Sequence, residues 1–272
     1  MDKISKVAFL GLGSMGAPMA RRIANAGYAL TVWNRSPEKA EGFEKVAASP
    51  EDAVRGADVV VTMLSDPPAV LEVVGRIADD LNQGAVLVEA STIGPDALRQ
   101  VAQLVPDGVK LIDAPVMGSI DRAAAGELNL LVGGDADAVM PLLELFGEVN
   151  RTGDVGTGAA MKIVMINAIV NGIAIIGEAL QVADAFGLPE DQVKLAFETS
   201  PLAGLAARAF ANDAYYQTKL AAKDVALAAE AADTPIARTV YQRLTAYPEA
   251  QNEDVGKIVE YFRATASHPA SQ

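Results

Sequence analysis

The chain lacks cysteine altogether and has a single histidine, His268, four residues before the C-terminal Gln272. The absence of cysteine excludes a disulfide framework, a thiolate nucleophile and a cysteine-ligated metal site. One histidine is too few for a multi-histidine metal site, and we expect no metal centre. A catalytic proton donor must therefore come from lysine, tyrosine, aspartate or glutamate.

Positive charge is also scarce, with 22 Lys and Arg against 35 Asp and Glu and a net charge of −13. We expect no nucleic-acid or membrane partner, because both need clustered basic residues. The longest apolar stretch, residues 163–176, is interrupted by Asn167, Asn171 and Gly172. It falls short of the roughly 20 apolar residues of a membrane span. The first predicted strand leaves no room for a signal peptide, so we expect a cytoplasmic protein with a small-molecule substrate.

Glycine occurs in a diagnostic pattern near the N-terminus. Residues 11–16 read Gly-Leu-Gly-Ser-Met-Gly, after an apolar strand-like run and before a stretch with helical spacing. This arrangement is typical of dinucleotide binding, in which the glycines permit a tight turn, close approach to a pyrophosphate and close helix packing. A plain structural turn is the alternative. The predicted cofactor-binding residues here are Gly11, Leu12, Gly13, Ser14, Met15 and Gly16.

The end of the second predicted strand, residues 29–33, indicates which dinucleotide binds. An NAD-selective site usually has Asp or Glu at this point to hold the ribose 2′-hydroxyl. This chain has Asn34, Arg35 and Ser36 instead. Because Arg35 can make a forked, charge-assisted contact with a 2′-phosphate, we predict NADP(H) in preference to NAD(H). The alternative is a solvated arginine in a turn.

The chain changes character at the glycine-rich segment 153–158. Before it, strand-like and helical stretches alternate, which predicts a mostly parallel sheet covered by helices on both faces. After it we find only helical candidates, beginning with one long helix over about 159–186. We predict an α/β fold: an N-terminal Rossmann-type doubly wound parallel sheet, then an all-α C-terminal domain joined through that long interdomain helix. The NADP-binding domain is placed at 1–155 and the helical substrate and dimerisation domain at 156–272.

Lys162 is the best candidate for proton transfer, because it lies one turn into the long helix among apolar neighbours. Residues Met165, Ile166 and Ile169 share its helix face. Desolvation on such a face would lower the pKa of the ammonium, which suits a proton shuttle near neutral pH. A lysine that extends its ammonium from the helix start into solvent is the structural alternative.

Several motifs along the chain resemble the β-hydroxyacid dehydrogenase family, which includes 3-hydroxyisobutyrate dehydrogenase and reductases of tartronate, glyoxylate and succinic semialdehyde. The resemblance begins in the glycine-rich segment 9–19, which reads Phe-Leu-Gly-Leu-Gly-Ser-Met-Gly-Ala-Pro-Met. It continues in the segments Thr62-Met63-Leu64-Ser65, Ser91-Thr92-Ile93, Asp113-Ala114-Pro115-Val116, Gly156-Thr157-Gly158 with Lys162, and Lys223-Asp224.

The resemblance implies hydride exchange between a nicotinamide cofactor and the carbonyl or alcohol carbon of a short acid. Lys162 would donate a proton to the nascent alkoxide, and Asp224 would lie at the edge of the substrate cleft. The family's interlocking dimers, together with apolar helices that a small domain cannot easily bury, lead us to expect a homodimer. The remaining cofactor contacts implied by the resemblance are Met63, Leu64, Ser65, Ser91, Thr92 and Lys223.

Two positions depart from the family's pattern. The substrate carboxylate rests in the family on a Ser-Gly-Gly or Ser-Gly-Ser turn, which here is Met117-Gly118-Ser119. The family's asparagine four residues after the lysine is here Ile166. Both changes remove hydrogen bonds to a polar substrate, although backbone N–H groups of the turn can still bind an anion. The predicted substrate-binding residues are Met117, Gly118, Ser119, Ile166 and Asp224.

Three hypotheses follow from these residues. The first is an NADPH-dependent reductase of a small aldehyde or keto acid, of the semialdehyde or glyoxylate type, with Lys162 as general acid. The second is a reductase of a less polar substrate such as a ketone or cyclic imine, which Met117 and Ile166 favour. The third is a non-catalytic NADP-binding scaffold.

Overall fold

The computed structural model describes residues 4–211 and 215–266. The chain divides into two compact units, Met1–Lys162 and Ile163–Gln272. This division lies inside the long helix, whereas the boundary predicted near residue 155 lies in the glycine-rich segment that precedes it. His268 is outside the described residues.

The first unit is built on one eight-stranded sheet. Its strand order is β2-β1-β3-β4-β5-β7-β6, and β8, which stands outside this order, also pairs with β7. Neighbouring strands from β2 to β5 are parallel, while β7 runs antiparallel to β5 and β6 and parallel to β8. The strands are β1 (Lys6–Leu10), β2 (Ala29–Trp33), β3 (Val59–Thr62), β4 (Val86–Glu89), β5 (Lys110–Asp113), β6 (Val116–Met117), β7 (Leu128–Gly133) and β8 (Gly147–Gly153).

A short segment extends the sheet beyond β2. Val46 forms a parallel bridge with Val32, and Ala47 N donates to Val32 O at 2.9 Å. The chain therefore runs outward from β1 through β2 to this bridge and then crosses to β3 on the other side of β1. Ligands of open α/β sheets bind where the strand order reverses, at the carboxyl ends of the strands. Here that point lies between β1 and β3, which confirms the predicted doubly wound sheet.

The sheet is buried on both faces. In β1, Val7 and Phe9 join one apolar core while Ala8 and Leu10 join another, because successive side chains of a strand point to opposite faces. Strands β3 and β4 are buried throughout. Continuous burial explains their unbroken apolar sequences, as expected for parallel strands covered by helices on both sides.

Helices connect these strands, and some of them begin at recognisable capping residues. Ser49 Oγ accepts from Asp52 N at 3.1 Å and Asp66 Oδ1 accepts from Ala69 N at 2.9 Å, which satisfies first-turn amides that have no partner within the helix. The helices of the first unit are α1 (Gly16–Asn25), α2 (Pro50–Val54), α3 (Pro67–Ile77), α4 (Gly94–Leu104), α5 (Ile120–Ala125), α6 (Met140–Leu143) and the start of α7 (Thr157–Ala185).

The second unit contains helices and no extended strand in its described residues. Its core is formed by apolar side chains such as Val170, Ile173, Val225 and Phe262. This arrangement confirms the all-α C-terminal domain, and α7 matches the long helix predicted over 159–186. The remaining helices are α8 (Glu190–Glu198), α9 (Ala203–Phe210), α10 (Thr218–Ala231), α11 (Pro235–Thr245) and α12 (Ile258–Ala266).

Helix α7 is long and apolar enough, by length and composition, to cross a membrane. The stretch at 163–176, taken alone, therefore underestimated the apolar length of this helix. Half of its most apolar window is buried inside the protein. The face with Val170, Ile173 and Ile176 is buried, and the opposite face exposes Ile175.

Candidate active site

The glycine-rich loop between β1 and α1 packs closely against the loop after β3. A Cβ built on Gly11, whose φ is +103°, would lie 2.2 Å from Met63 O, and one on Gly16 would lie 2.0 Å from Gly11 O. Only glycine permits both approaches. No described atom lies within 4 Å of a Cβ built on Gly13, so the backbone there can approach a ligand, as the dinucleotide motif requires.

The start of α1 is suited to an anion. Met15 precedes the helix and makes no side-chain capping bond with the described residues, unlike Asp66 at the start of α3. The first amides of a helix lack intrahelical partners and carry the positive end of the helix dipole. The pyrophosphate of a dinucleotide fits this position, between the glycine-rich loop and the first turn of α1.

The three polar residues after β2 differ in what they do. Asn34 Oδ1 accepts from Leu12 N at 2.8 Å and its Nδ2 donates to Ser36 O at 2.9 Å. Asn34 thus joins the glycine-rich loop to the next turn. Arg35 is exposed and makes no hydrogen bond or ion pair with any described residue. Its guanidinium is therefore available at the carboxyl end of β2.

The loops after β3 and β4 are tied together. Leu64 N donates to Ser91 Oγ at 2.8 Å, and Ser91 N donates to Glu89 Oε1 at 2.6 Å. Ser91 is buried, whereas Ser65 is exposed and donates to Asp66 at 2.7 Å. Ser91 thus supports the two loops that carry predicted cofactor contacts.

Glu89 is a buried acid that sequence reasoning missed. It ends β4, is 1% exposed, and accepts a hydrogen bond from the hydroxyl of Thr62 on β3. Burial raises its pKa from 4.5 to about 7, and the nearby Asp113 carboxylate adds to this effect. The only sequence signal is one acid at the end of an otherwise apolar strand.

Asp113 ends the neighbouring strand β5 and binds the start of α7. Its Oδ1 accepts from Gly156 N at 2.7 Å and its Oδ2 accepts from Ala159 N at 2.6 Å. Burial raises the pKa of Asp113, and the backbone amides that donate to the carboxylate oppose this shift. The sequence motif included Asp113, but no role was predicted for it.

Lys162 lies beside the predicted substrate turn. Its Nζ donates to Val116 O at 2.7 Å and lies 3.3 Å from Met117 Sδ. Lys162 is 8% exposed, so its side chain is buried rather than extended into solvent, although Met165 on the same helix face is 43% exposed. A thioether sulfur is a weaker acceptor than a hydroxyl oxygen. The structure therefore brings the predicted proton donor and the predicted turn together within the first unit.

The rest of this turn is shaped by Gly118 and Ser119. Gly118 has a φ of +140°, and a Cβ on it would lie 2.7 Å from Leu128 Cδ2. Ser119 Oγ accepts from Arg122 N at 3.4 Å and caps α5. The Ser119 hydroxyl therefore already has a structural partner.

In the second unit, the half-buried Lys223 pairs with the buried Asp224. Lys223 Nζ lies 2.6 Å from Asp224 Oδ1, and the Tyr216 hydroxyl donates to Asp224 Oδ2 at 2.6 Å. Burial and the negative charge of Asp224 hold the pKa of Tyr216 well above 10, so Tyr216 remains a donor. Sequence reasoning missed Tyr216. Ile166 is 6% exposed in the apolar core of this unit, and its substrate contact stays a prediction.

A doubly wound sheet with a glycine-rich loop at its switch point defines a dinucleotide-dependent enzyme, and the buried lysine beside a turn fits an oxidoreductase. Residues 6–165 match the family described as the NAD binding domain of 6-phosphogluconate dehydrogenase.

Relatives over nearly the whole chain agree with this class. The chain is 34% identical to an NAD-dependent L-serine dehydrogenase of Pseudomonas aeruginosa, over 87% of this chain and 88% of the relative. It is 32% identical to the mitochondrial 3-hydroxyisobutyrate dehydrogenase of Mus musculus, over 97% of this chain and 88% of the relative.

A solved structure of Mycobacterium tuberculosis 3-hydroxyisobutyrate dehydrogenase with L-serine superposes with a TM-score of 0.85. It is 26% identical and covers 96% of this chain and 99% of its own. The chain belongs to the β-hydroxyacid dehydrogenase family and is an NAD(P)-dependent oxidoreductase of the hydroxyacid dehydrogenase type. The resemblance inferred from the motifs is therefore confirmed.

Proposed function

We propose that the protein is an NADPH-dependent reductase of small aldehydes or keto acids, of the semialdehyde or glyoxylate type, in which Lys162 is the general acid. The observation that supports this most is the buried ammonium of Lys162, held 2.7 Å from Val116 O beside the turn at 117–119. When bound, the nicotinamide cofactor supplies the hydride.

The role of Lys162 follows from its surroundings. Reduction of a carbonyl leaves negative charge on oxygen, and a proton donor within hydrogen-bond reach stabilises it. Lys162 carries that proton on Nζ, and Val116 O orients the ammonium. The backbone N–H groups of residues 117–119 offer an anion-binding turn for the substrate carboxylate. Since the Lys162 side chain is buried, its ammonium has little access to water.

The preference for NADP(H) rests on Arg35. The strand that precedes it ends without an acid, and the exposed guanidinium has no protein partner among the described residues. A 2′-phosphate would supply that partner through charge-assisted hydrogen bonds. The Pseudomonas relative is named as NAD-dependent, so the preference proposed here depends on this chain's own residue.

The experiment is NADPH consumption with a panel of semialdehydes, glyoxylate and other short keto acids. We expect turnover of at least one acid-bearing carbonyl and its loss, by roughly 100-fold or more, in Lys162→Ala. Lys194→Ala is the matched control, because Lys194 is a half-buried lysine of the second unit that pairs with Glu190 on α8. Wild-type protein that turns over no acid-bearing carbonyl would overturn the proposal.

A second candidate is a reductase of less polar substrates, such as an apolar ketone or a cyclic imine. The contact between Met117 and Lys162 favours it, because a thioether stands where the family has a serine hydroxyl. An imine or ketone turned over much faster than any semialdehyde would establish this candidate. NADPH binding without turnover of either class would instead indicate the non-catalytic scaffold.

We also infer that the protein forms a homodimer through its second unit. The end of α7 and the start of α8 line an apolar groove of about 380 Å³, and Phe186, 76% exposed, lies on its rim. Exposed apolar surface of this kind marks interfaces, and α7 continues it with Ile175 and Val182. Light scattering should give twice the chain mass of 28.3 kDa. A stable monomer at that mass would contradict the inference.

A further inference from the structure

We propose that Asp113 is a positioning residue for Lys162: by binding the first turn of α7 to the end of β5, it sets where the Lys162 ammonium stands. This inference rests on the proposed role of Lys162 as the general acid. It concerns a residue that makes no predicted contact with substrate or cofactor and acts only through the helix.

The Asp113 carboxylate is fully engaged in hydrogen bonds to the start of α7. Both of its oxygens are used, by Gly156 N at 2.7 Å and by Ala159 N at 2.6 Å. A Cβ built on Gly158 would lie 2.2 Å from Leu131 O and 2.8 Å from Asp113 Oδ2. The start of α7 is therefore pressed against β7 and the carboxylate, and glycine at position 158 allows this approach.

The same short segment also holds the lysine. Asp113 binds Ala159 N, and three residues further along both segments Val116 O binds Lys162 Nζ at 2.7 Å. Each of these two bonds joins residues that are 46 positions apart. Two hydrogen bonds with the same sequence separation thus connect the segment after β5 to the first turns of α7. If the bond from Ala159 N to Asp113 weakens, the helix can shift along the segment, and the distance from Lys162 Nζ to Val116 O then increases.

The charge of Asp113 also favours its contact with α7. A buried carboxylate is costly unless hydrogen bonds satisfy it, and here backbone amides supply them. The carboxylate also stands at the positive end of the dipole of α7, a helix of 29 residues, where negative charge is stabilising. Asparagine would keep one acceptor oxygen but turn an NH₂ group toward an amide N–H. Asp113→Asn should therefore loosen this contact with little change in volume.

The experiment compares Asp113→Asn with Asp58→Asn. Asp58 also accepts two backbone amides, from Ser5 and Lys6 at 2.9 Å each, but it lies at the opposite end of the parallel strands. We expect Asp113→Asn to lower kcat by roughly 10- to 100-fold, because a shift of about 1 Å in a catalytic group has effects of this size. The Kd for NADPH should change by less than about twofold.

If Asp113 only stabilised the fold, its substitution would not change the pH dependence of kcat. We therefore expect Asp113→Asn to shift the apparent pKa in the kcat profile that Lys162→Ala abolishes, and Asp58→Asn to leave it unchanged. Unchanged kcat and an unchanged profile in folded Asp113→Asn would overturn the proposal. A parallel loss of kcat in both variants would also overturn it, since it would reflect stability rather than position.

A measurement on the unaltered protein covers the case in which Asp113→Asn does not fold. Hydrogen exchange should show the amides of Gly156 and Ala159 protected as strongly as the interior of α7. Exchange at the rate of exposed amides would overturn the proposal. These outcomes are distinct from failure of the proposed function. That failure would appear as no turnover of any acid-bearing carbonyl by the unaltered protein, or as full activity in Lys162→Ala, while the amides remain protected.

Discussion

The ammonium nitrogen of Lys162 lies 3.3 Å from the thioether sulfur of Met117. The proton donor of the proposed reaction thus has a soft, weakly accepting neighbour on the substrate turn. Since the lysine is buried, we expect Met117 to influence which substrates can place a polar group beside it.

Met117→Ser should move specificity toward polar substrates. A hydroxyl at this position restores a hydrogen-bonding group beside the substrate carboxylate, and we expect kcat/KM for a short keto acid or semialdehyde to rise by roughly 10-fold. Activity on an apolar ketone should fall. Steady-state kinetics on both substrate classes is the measurement, with the exposed Met161→Ser as control. Equal effects of the two variants would contradict this assignment of Met117.

Arg35→Ala should weaken NADPH selectively. Loss of a charge-assisted hydrogen bond costs about 1.5–3 kcal/mol, so kcat/KM for NADPH should fall by roughly 10- to 100-fold. The value for NADH should change little, because NADH has no 2′-phosphate. The control is Arg99→Ala, an exposed arginine on α4. A loss of kcat/KM of the same size with both cofactors would show that Arg35 does not bind the 2′-phosphate.

Glu89→Gln should stabilise the first unit at high pH. The folded-state pKa of Glu89 is about 7 against an ordinary 4.5, so the folded state binds this proton more tightly than the unfolded chain does. Stability is therefore lost as the pH rises from about 4.5 through 7, by at most about 3 kcal/mol. A neutral glutamine removes this loss and retains hydrogen-bonding capacity toward Ser91 and Thr62.

The measurement for Glu89→Gln is urea unfolding at pH 5 and pH 8.5. The single tryptophan, Trp33, is buried at the end of β2 and reports on the first unit. The free energy of unfolding of the variant, relative to the unaltered protein, should rise between the two pH values. The exposed Asp96→Asn is the control. A constant difference across this range would show that Glu89 does not titrate there.

Tyr216→Phe should destabilise the second unit. The variant removes the hydroxyl that donates to the buried Asp224 at 2.6 Å, and leaving a buried carboxylate short of a hydrogen bond costs about 1–3 kcal/mol. Chemical denaturation followed by circular dichroism at the helical signal gives the free energy of unfolding. Tyr241→Phe is the matched control, because Tyr241 is 40% exposed. Equal stabilities of the two variants would contradict a structural role for the Tyr216 hydroxyl.

Sequence reasoning was strongest where a function depends on neighbours along the chain. The strand, the glycine pattern and the helix lie within residues 6–25, and the close approaches of Gly11 and Gly16 are what that pattern predicts. The change from alternating elements to helices alone predicted the architecture for the same reason. Hydrophobic periodicity and turn chemistry are local properties, so they can be recognised in the sequence without knowledge of the fold.

Residues that work through distant partners were missed. The sequence does not show whether an acid at a strand end is solvated or bound to a distant helix. Asp113 is bound to a helix residue 46 positions away. Glu89 was missed for the same reason, since its partner Thr62 lies 27 positions away. Tyr216 lies only 8 positions from Asp224, but their contact depends on how the chain between them folds. Asn34 was predicted as a cofactor contact, and the structure adds a role that the strand-end pattern could not indicate, the bond to Leu12 N.

The amino-acid sequence by itself determined the dinucleotide site, the two-part organisation, the family and the candidate lysine, because each depends on local spacing or on a series of motifs. Tertiary structure alone decided what surrounds that lysine. The Val116 carbonyl, the Met117 sulfur and the Asp113 anchor reach it or its helix only after β5, β6 and α7 are packed together. Hydrogen bonds and burial are properties of three-dimensional neighbours, and it is these that set the charge and position of a catalytic group.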